Sequence, residues 1–400
     1  MMDEEKLKRI LDNAPSENEK WDFKAHWHED KGELLRDILN FSNTVHHEDC
    51  YIIFGVSDDD GKIIGIENDD NRRNRQNVQD FLRGQKFSQN GYPLTDVTTF
   101  SLNNHEVDVL TIFDTDDIPF FLERDYKPKK GRQLRGGLIY SRINDSNTPR
   151  DQSTTDAQME KIWKKRFRLD ISVQDRFRYQ MLFPNKWSKV VNSETTSYVW
   201  NEDSNYVIKI VPDPEEESRV KFEAFSYSQI DKRIGWNEVD FIVNGTQITY
   251  NLTNYLDGAR LEVGSPDLGV FDDINMNTHS YYYLQKGRWN SRVTEFLYCR
   301  LGIDIGSMEN AELAMQAFKK DIVIYSSEDE RKLIEHKMAS SWENISDGFI
   351  PTKEELNNMT SDLKSVSWKN ESNFNWNDYA VQAIEQHKIA QYINEEMLKK

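Results

Sequence analysis

Glu17 and Asp22 stand five residues apart in Ser16-Glu-Asn-Glu-Lys-Trp-Asp-Phe-Lys24. A third acid, Asp58, follows the apolar run Cys50-Tyr-Ile-Ile-Phe-Gly-Val56. Three carboxylates gathered at the ends of neighbouring strands can hold a divalent cation, Mg2+ or Mn2+, against a phosphodiester, where it neutralises the phosphoryl oxygens and activates a water. A strand places Asp22 and Lys24 on one face. Lys24 can then grip the scissile phosphate and stabilise the transition state, or pair with Asp22, a contact worth little when exposed. Asp59 and Asp60 compete with Asp58 for its role. Taken alone, the acids also suit plainer work, Glu17 as a cap and Asp58 as a turn former.

The surrounding chain shows what would position them. Apolar spacing predicts helices over 3–13 and 30–43, the latter with Leu34, Leu35, Ile38, Leu39 and Phe41 on its buried side. Residues 20–25 and 50–56 read as strands, with 50–56 apolar enough to lie inside a sheet. Asp58-Asp-Asp-Gly61 predicts a hairpin turn with a return strand at 62–66. A polar helix is expected at 71–84, then strands at 95–101 and 105–114 joined at Asn103-Asn104. Ile118–Leu122 and Gly137–Arg142 read as closing strands around the basic stretch Lys127-Pro-Lys-Lys-Gly-Arg132, and helices follow at 154–167 and 172–181.

This order, an acidic-x4-acidic-Phe-Lys run, a helix ending in Phe41-Ser-Asn-Thr44, then a strand closing on Gly55-Val-Ser-Asp58, resembles the Schlafen-type, AlbA-like domain, a nucleic-acid-binding family that includes metal-dependent RNA nucleases. The likeness spans about residues 10–187. It implies that Glu17, Asp22 and Asp58 are the metal-binding nuclease acids, with Asp22 in place of the more usual Glu, and that Lys24 assists them. It also places Tyr140 and Arg142 on the family's Tyr-x-Arg, where Arg can hold a phosphate and Tyr can stack on a base. Lys127, Lys129, Lys130, Arg132 and Arg135 would line the nucleic-acid backbone. One departure stands out: Val45-His-His-Glu-Asp-Cys50 replaces the glycine pair that usually follows the Phe-Ser-Asn-Thr helix end. His46 and His47 there, and His26 and His28 beside the acids, are further candidates for ligation, phosphate contact or proton transfer.

The resemblance therefore implies a divalent-metal-dependent endoribonuclease acting on structured RNA, tRNA above all, in a setting such as antiviral defence. The rival is a non-catalytic DNA- or RNA-binding regulator on the same fold. Large Schlafen nucleases resemble two related lobes clasping RNA. This chain shows one copy of the pattern, so either two chains pair as a homodimer or the second half supplies the other wall.

Composition limits the alternatives. The 400 residues suggest an α+β protein of two domains, 1–187 with the mixed sheet and trailing helices, and 188–400, a second α+β domain of unrecognised type with the capacity to bind a trigger or regulator. No run of eighteen apolar residues offers a membrane span, and the two cysteines argue against a disulfide framework; a cytoplasmic protein is expected. The net charge of −18 disfavours a general nucleic-acid coat. Residues 188–400 hold 22 Lys/Arg and 35 Asp/Glu, whereas 120–190 hold 17 basic and 8 acidic side chains, a local balance compatible with a phosphate track. There is no phosphate-binding Gly-x4-Gly-Lys loop, dinucleotide glycine fingerprint or Gly-x-Ser-x-Gly elbow.

Overall fold

The computed structural model describes residues 2–12, 14, 16–88, 91–129, 131–192, 195–306, 308–366 and 375–398. The chain divides into two units, Met1–Ser172 and Val173–Lys400. The boundary expected at 187 falls earlier because α5 (Val173–Gln180) places Phe177 among Trp187, Tyr206 and Phe241 of the second unit's core.

In the first unit the order is α1 (Glu4–Leu11), β1 (Trp21–Lys24), α2 (Lys31–Ser42), β2 (Cys50–Phe54), α3 (Arg75–Arg83), β3 (Thr95–Leu102), β4 (His105–Ile112), β5 (Arg142–Ile143), β6 (Ser146–Asn147) and α4 (Asp156–Arg166). The main sheet runs β1-β2-β4-β3. β1 and β2 are parallel with Asp22 opposite Ile52, an arrangement that needs a crossover, which α2 supplies. β3 and β4 form a hairpin whose turn residues Asn103 and Asn104 both take positive φ, 52° and 63°, the left-handed pair that asparagine tolerates best after glycine.

Strand β2 explains the layering. Cys50, Ile52 and Phe54 face α2, where Leu34, Leu35, Ile38 and Leu39 cover them. Tyr51 and Ile53 face the other way, against Leu7 and Ile10 of α1 with Phe23, Val107 and Val109. A helix therefore covers each face, which is why β2 reads as continuous hydrophobic sequence.

Two strand expectations are corrected. Residues 62–66 form no return strand; Ile63 makes a single bridge to Val56 after the turn. Ile118–Leu122 and Gly137–Arg142 do not close the sheet, since that region makes the isolated bridges Phe87–Leu122 and Tyr126–Leu134 and the two-residue pairing of β5 with β6. Pro119, which follows a cis peptide bond, lacks the N–H a ladder needs.

The second unit holds a six-stranded antiparallel sheet in the order β12-β11-β10-β9-β8-β7. Its strands are β7 (Trp187–Val191), β8 (Thr196–Trp200), β9 (Tyr206–Pro212), β10 (Gly235–Val243), β11 (Thr246–Leu256) and β12 (Leu261–Gly264). A smaller sheet, β13-β14-β15, combines β13 (Asp267–Asp272) and β14 (Thr278–Gln285) with β15 (Val323–Tyr325). Helices α6 (Trp289–Ile305), α7 (Glu309–Asp321), α8 (Glu328–Ile345), α9 (Lys353–Val366) and α10 (Trp376–Tyr392) complete it. Helix α6 begins only at Trp289, because Tyr281 and Tyr283 before it pack inward as alternate residues of β14. No helix among the described residues is long and apolar enough to cross a membrane.

Candidate nucleic-acid site

Asp22 enters the site because β1 alternates. Phe23 turns to the α1 core, while Asp22, 2% exposed, shares the sheet face of Ile52. Glu17 arrives from the segment before the strand, which Asn18 folds back by accepting from the backbone N–H groups of Lys20 and Trp21. Glu17 Oε1 then accepts from Phe23 N at 3.1 Å, and its carboxyl is hydrogen-bonded to that of Asp22.

The two acids respond in opposite directions. Burial, together with the bond and charge of Asp22, pushes Glu17 up to about 7. Burial also acts to raise Asp22, but the bond to Glu17 and the charges of Lys24 and Arg142 outweigh it and hold that carboxyl below the usual carboxylate range. The two carboxyls are thus held apart in acidity, Glu17 raised and Asp22 lowered.

Lys24 Nζ lies 2.7 Å from Asp22 Oδ2, so the pairing weighed from the sequence is present. Both acids line an open cavity of about 540 Å³ together with Lys24, His28, Arg36 and Asp37. His28 Nε2 bonds Asp37 Oδ2 at 2.8 Å, leaving its buried Nδ1 without a partner among the described residues. Arg36 Nε is likewise buried and not hydrogen-bonded, with Glu33 at 3.6 Å and Asp37 at 4.0 Å.

Asp58 does not join this cluster. It is exposed in the turn after β2 and lines no part of the cavity. The turn turns it outward: Ser57 N bonds Lys62 O and Gly61 N bonds Ser57 O. Among the described residues no group of three or more His, Cys, Asp or Glu side chains is arranged to hold a metal ion. Two carboxylates remain, and a Mg2+ site in phosphoryl chemistry commonly needs no more, taking its other ligands from water and substrate phosphate. The carboxyl pair Glu17–Asp22, facing one cavity, fits that donor set.

Arg142 and Tyr140 take other work. Arg142 is 3% exposed. Its guanidinium donates to Asn18 O at 2.9 Å and Asn147 Oδ1 at 3.1 Å, stands 3.3 Å from Glu17 Oε2 and 3.6 Å from Asp22 Oδ1, and lies over the Phe41 ring. It positions the acids, and it lines the same cavity. Tyr140 is fully buried with its hydroxyl donating to Arg150 O at 2.8 Å, so its ring cannot stack on a base.

The basic loop is different. Lys127, Lys129, Arg132 and Arg135 are exposed; Lys130 lies outside the described residues. Tyr126 and Leu134 exchange backbone hydrogen bonds at 2.8 and 2.9 Å, closing the loop, and buried Leu134 anchors it. Arg150 donates to Arg132 O at 2.6 Å and pairs with Glu33 on the cavity rim. Much of the remaining basic charge between 160 and 178 is structural. Lys165, 1% exposed, bonds Thr44 O, His46 O and Asp114, and Arg168 pairs with Asp116.

The histidines divide similarly. His46 bonds Glu19 O at 3.3 Å and His47 bonds Asp170 at 2.8 Å, both structural, while His26 is exposed. Of the four, His28 alone lines the cavity. Sequence reading missed Arg36 and Asp37. The signal was a charged pair on the otherwise apolar side of α2, where Asp37 is buried between Leu34 and Ile38.

A mixed sheet covered by helices, carrying paired acids and a basic loop, defines an α+β domain suited to nucleic acid. Residues 17–151 match the family model described as Schlafen, AlbA_2, and this part of the chain is a Schlafen AlbA_2 domain. The family is associated with nucleic-acid binding or nuclease activity. Neither a curated protein nor a solved structure matches the chain.

Proposed function

We propose that the first unit is a Schlafen-type endoribonuclease acting on structured RNA, with tRNA as its leading substrate and antiviral defence as its setting. The observation that carries this reading is the carboxyl pair Glu17–Asp22 facing an open cavity that also holds Lys24 and Arg36. Glu17 and Asp22 would hold a Mg2+ or Mn2+ ion, which when bound supplies charge neutralisation and an activated water. Lys24 stands where it can exchange Asp22 for a phosphate oxygen. Arg36, held at its Nε by Glu33 and Asp37, carries the forked guanidinium that phosphate favours. His28, oriented by Asp37, is the side chain able to hold or move a proton at the leaving or attacking oxygen. The loop 127–135 would track the RNA backbone.

The test is incubation of the purified chain with total tRNA, with and without Mn2+, wild type beside Asp22→Asn, with Mn2+ binding followed separately by electron paramagnetic resonance. Cleavage requiring the metal and lost in the variant supports the reading; cleavage undiminished in EDTA overturns it. One observation favours a second reading, a non-catalytic nucleic-acid-binding regulator: Asp22 is already paired with Lys24. Tight RNA binding without cleavage at any Mn2+ concentration would select it.

A further inference from the structure

The second unit contains a carboxylate that its surroundings leave incompletely matched. Glu223 enters the short turn Ala224–Ser226. Its Oε2 accepts from the Tyr282 hydroxyl at 2.6 Å. Burial pushes its carboxyl up to about 7, the Tyr282 bond opposing this only in part. Lys221, two residues earlier, is spent on Glu216 O and the Glu216 carboxylate. An ionised carboxylate held away from water without a cation is costly.

That carboxylate borders a cavity of about 220 Å³ walled by Tyr282 of β14 and by Tyr379, Gln382, Ala383 and Gln386 of α10. The walls are firm. Tyr282 packs edge-on against Phe225 at 4.9 Å, Tyr379 donates to Phe222 O at 2.9 Å, and Gln386 donates to Ser280 at 2.8 Å. A 150 Å³ protein cavity accepts benzene, so this one has room for about nine non-hydrogen atoms.

We infer that the cavity beside Glu223 binds a small organic cation, an alkylguanidinium or alkylammonium. Three features select this chemistry. The carboxylate has no cationic partner among the described residues, two tyrosine rings line the same space and attract cations, and the 35 acidic against 22 basic residues of 188–400 give that half a field that concentrates them. The guanidinium or ammonium head would pair with Glu223 while the alkyl part lies against Ala383 and the rings. Such a ligand would give the second half the means to sense a metabolite independently of RNA.

The experiment is calorimetric titration of the full chain with butylguanidinium chloride, beside its neutral match butylurea. Wild type should bind the cation at least tenfold more tightly than butylurea. Glu223→Gln should weaken cation binding at least tenfold while circular dichroism stays unchanged. Ala383→Leu, which fills the cavity and keeps the charge, should abolish binding. The titratable groups facing Glu223, Tyr282 and Tyr379, are both pushed up by burial and stay neutral. Glu223 must therefore release its own proton to pair, and affinity should rise about tenfold from pH 6 to pH 8. No binding at millimolar cation, equal binding of butylurea, or undiminished binding by Glu223→Gln overturns the inference. Should Ala383→Leu fail to fold, the last two comparisons still decide it.

Discussion

Lys24 Nζ lies 2.7 Å from Asp22 Oδ2, and the carboxylate is nearly inaccessible while the ammonium is partly exposed. Replacing Asp22 by Asn leaves Lys24 and the buried Arg142 facing a neutral group. Breaking such a pair should cost about 3 kcal/mol in urea unfolding at pH 7. The sign with pH follows from the depressed carboxyl: its contribution is present above the ordinary carboxylate range and lost as pH falls through the folded-state value. The gap between wild type and Asp22→Asn should therefore close toward pH 3. A gap that is constant down to pH 3 would mean the ion pair contributes nothing.

Glu17 should behave in the opposite way. Its carboxyl is raised from 4.5 to about 7, so the folded state holds a proton the unfolded chain has released. The resulting stabilisation is full below about pH 4.5 and disappears as pH rises through about 7. Glu17→Gln, which fixes the neutral form, should gain thermal stability relative to wild type between pH 6 and pH 8. Mn2+ should raise the wild-type Tm more at pH 8 than at pH 6, because binding displaces the proton. A Mn2+ effect that is larger at pH 6 would count against the carboxyl pair as the metal site.

Asp58→Asn should leave Mn2+ binding and RNA cleavage within twofold of wild type, since Asp58 is exposed and outside the cavity. Loss of both in that variant, with an unchanged melting curve, would show that the turn after β2 closes onto the acids when RNA binds and would restore the three-acid site.

Reversing Lys127, Lys129, Arg132 and Arg135 to Glu should lower RNA affinity and flatten its salt dependence by up to about 3 in the log–log slope. Filter binding between 50 and 200 mM salt measures this. An unchanged slope would make the loop a solvated turn.

Asn43 is a structural linchpin rather than a ligand contact. Its amide donates to Phe120 O and Tyr140 O, both at 2.8 Å, and its oxygen accepts from Phe120 N at 2.7 Å, all buried. Asn43→Ala strands these backbone groups and should destabilise the first unit by about 3 kcal/mol, read by chemical denaturation. A loss under 1 kcal/mol would indicate that water replaces the amide.

Most elements of the first unit were legible because they have strong periods: α2 with its leucines, β2 with its apolar run, the Asn103-Asn104 hairpin. The Phe41-Ser-Asn-Thr44 end was visible as a motif, but its purpose lay in contacts with residues 77 and 97 positions away. Tyr140 failed as a stacking platform for a similar reason, and Arg142 is largely engaged with the acids and Asn18. Alternation along a strand shows which face a side chain takes, yet whether that face meets water depends on distant segments, here Arg150 and the turn at Asn18. Asp58 misled because adjacency to a strand end says nothing about the direction of the following turn. Glu17 and Asp22 were recognisable as a pair; their opposite shifts in acidity were not, since these depend on burial and on Lys24 and Arg142.

Strand β2 has a sheet neighbour along both edges and a helix over both faces. Its amides have no local route to solvent, so deuterium can reach Ile52 and Ile53 only when the whole unit opens. Their exchange rates would act as a gauge of global opening in the first unit. Exchange in the loop closed by Tyr126 and Leu134 would register local motion alone. Comparing the two with and without RNA would separate a ligand that clamps the loop from one that tightens the entire domain.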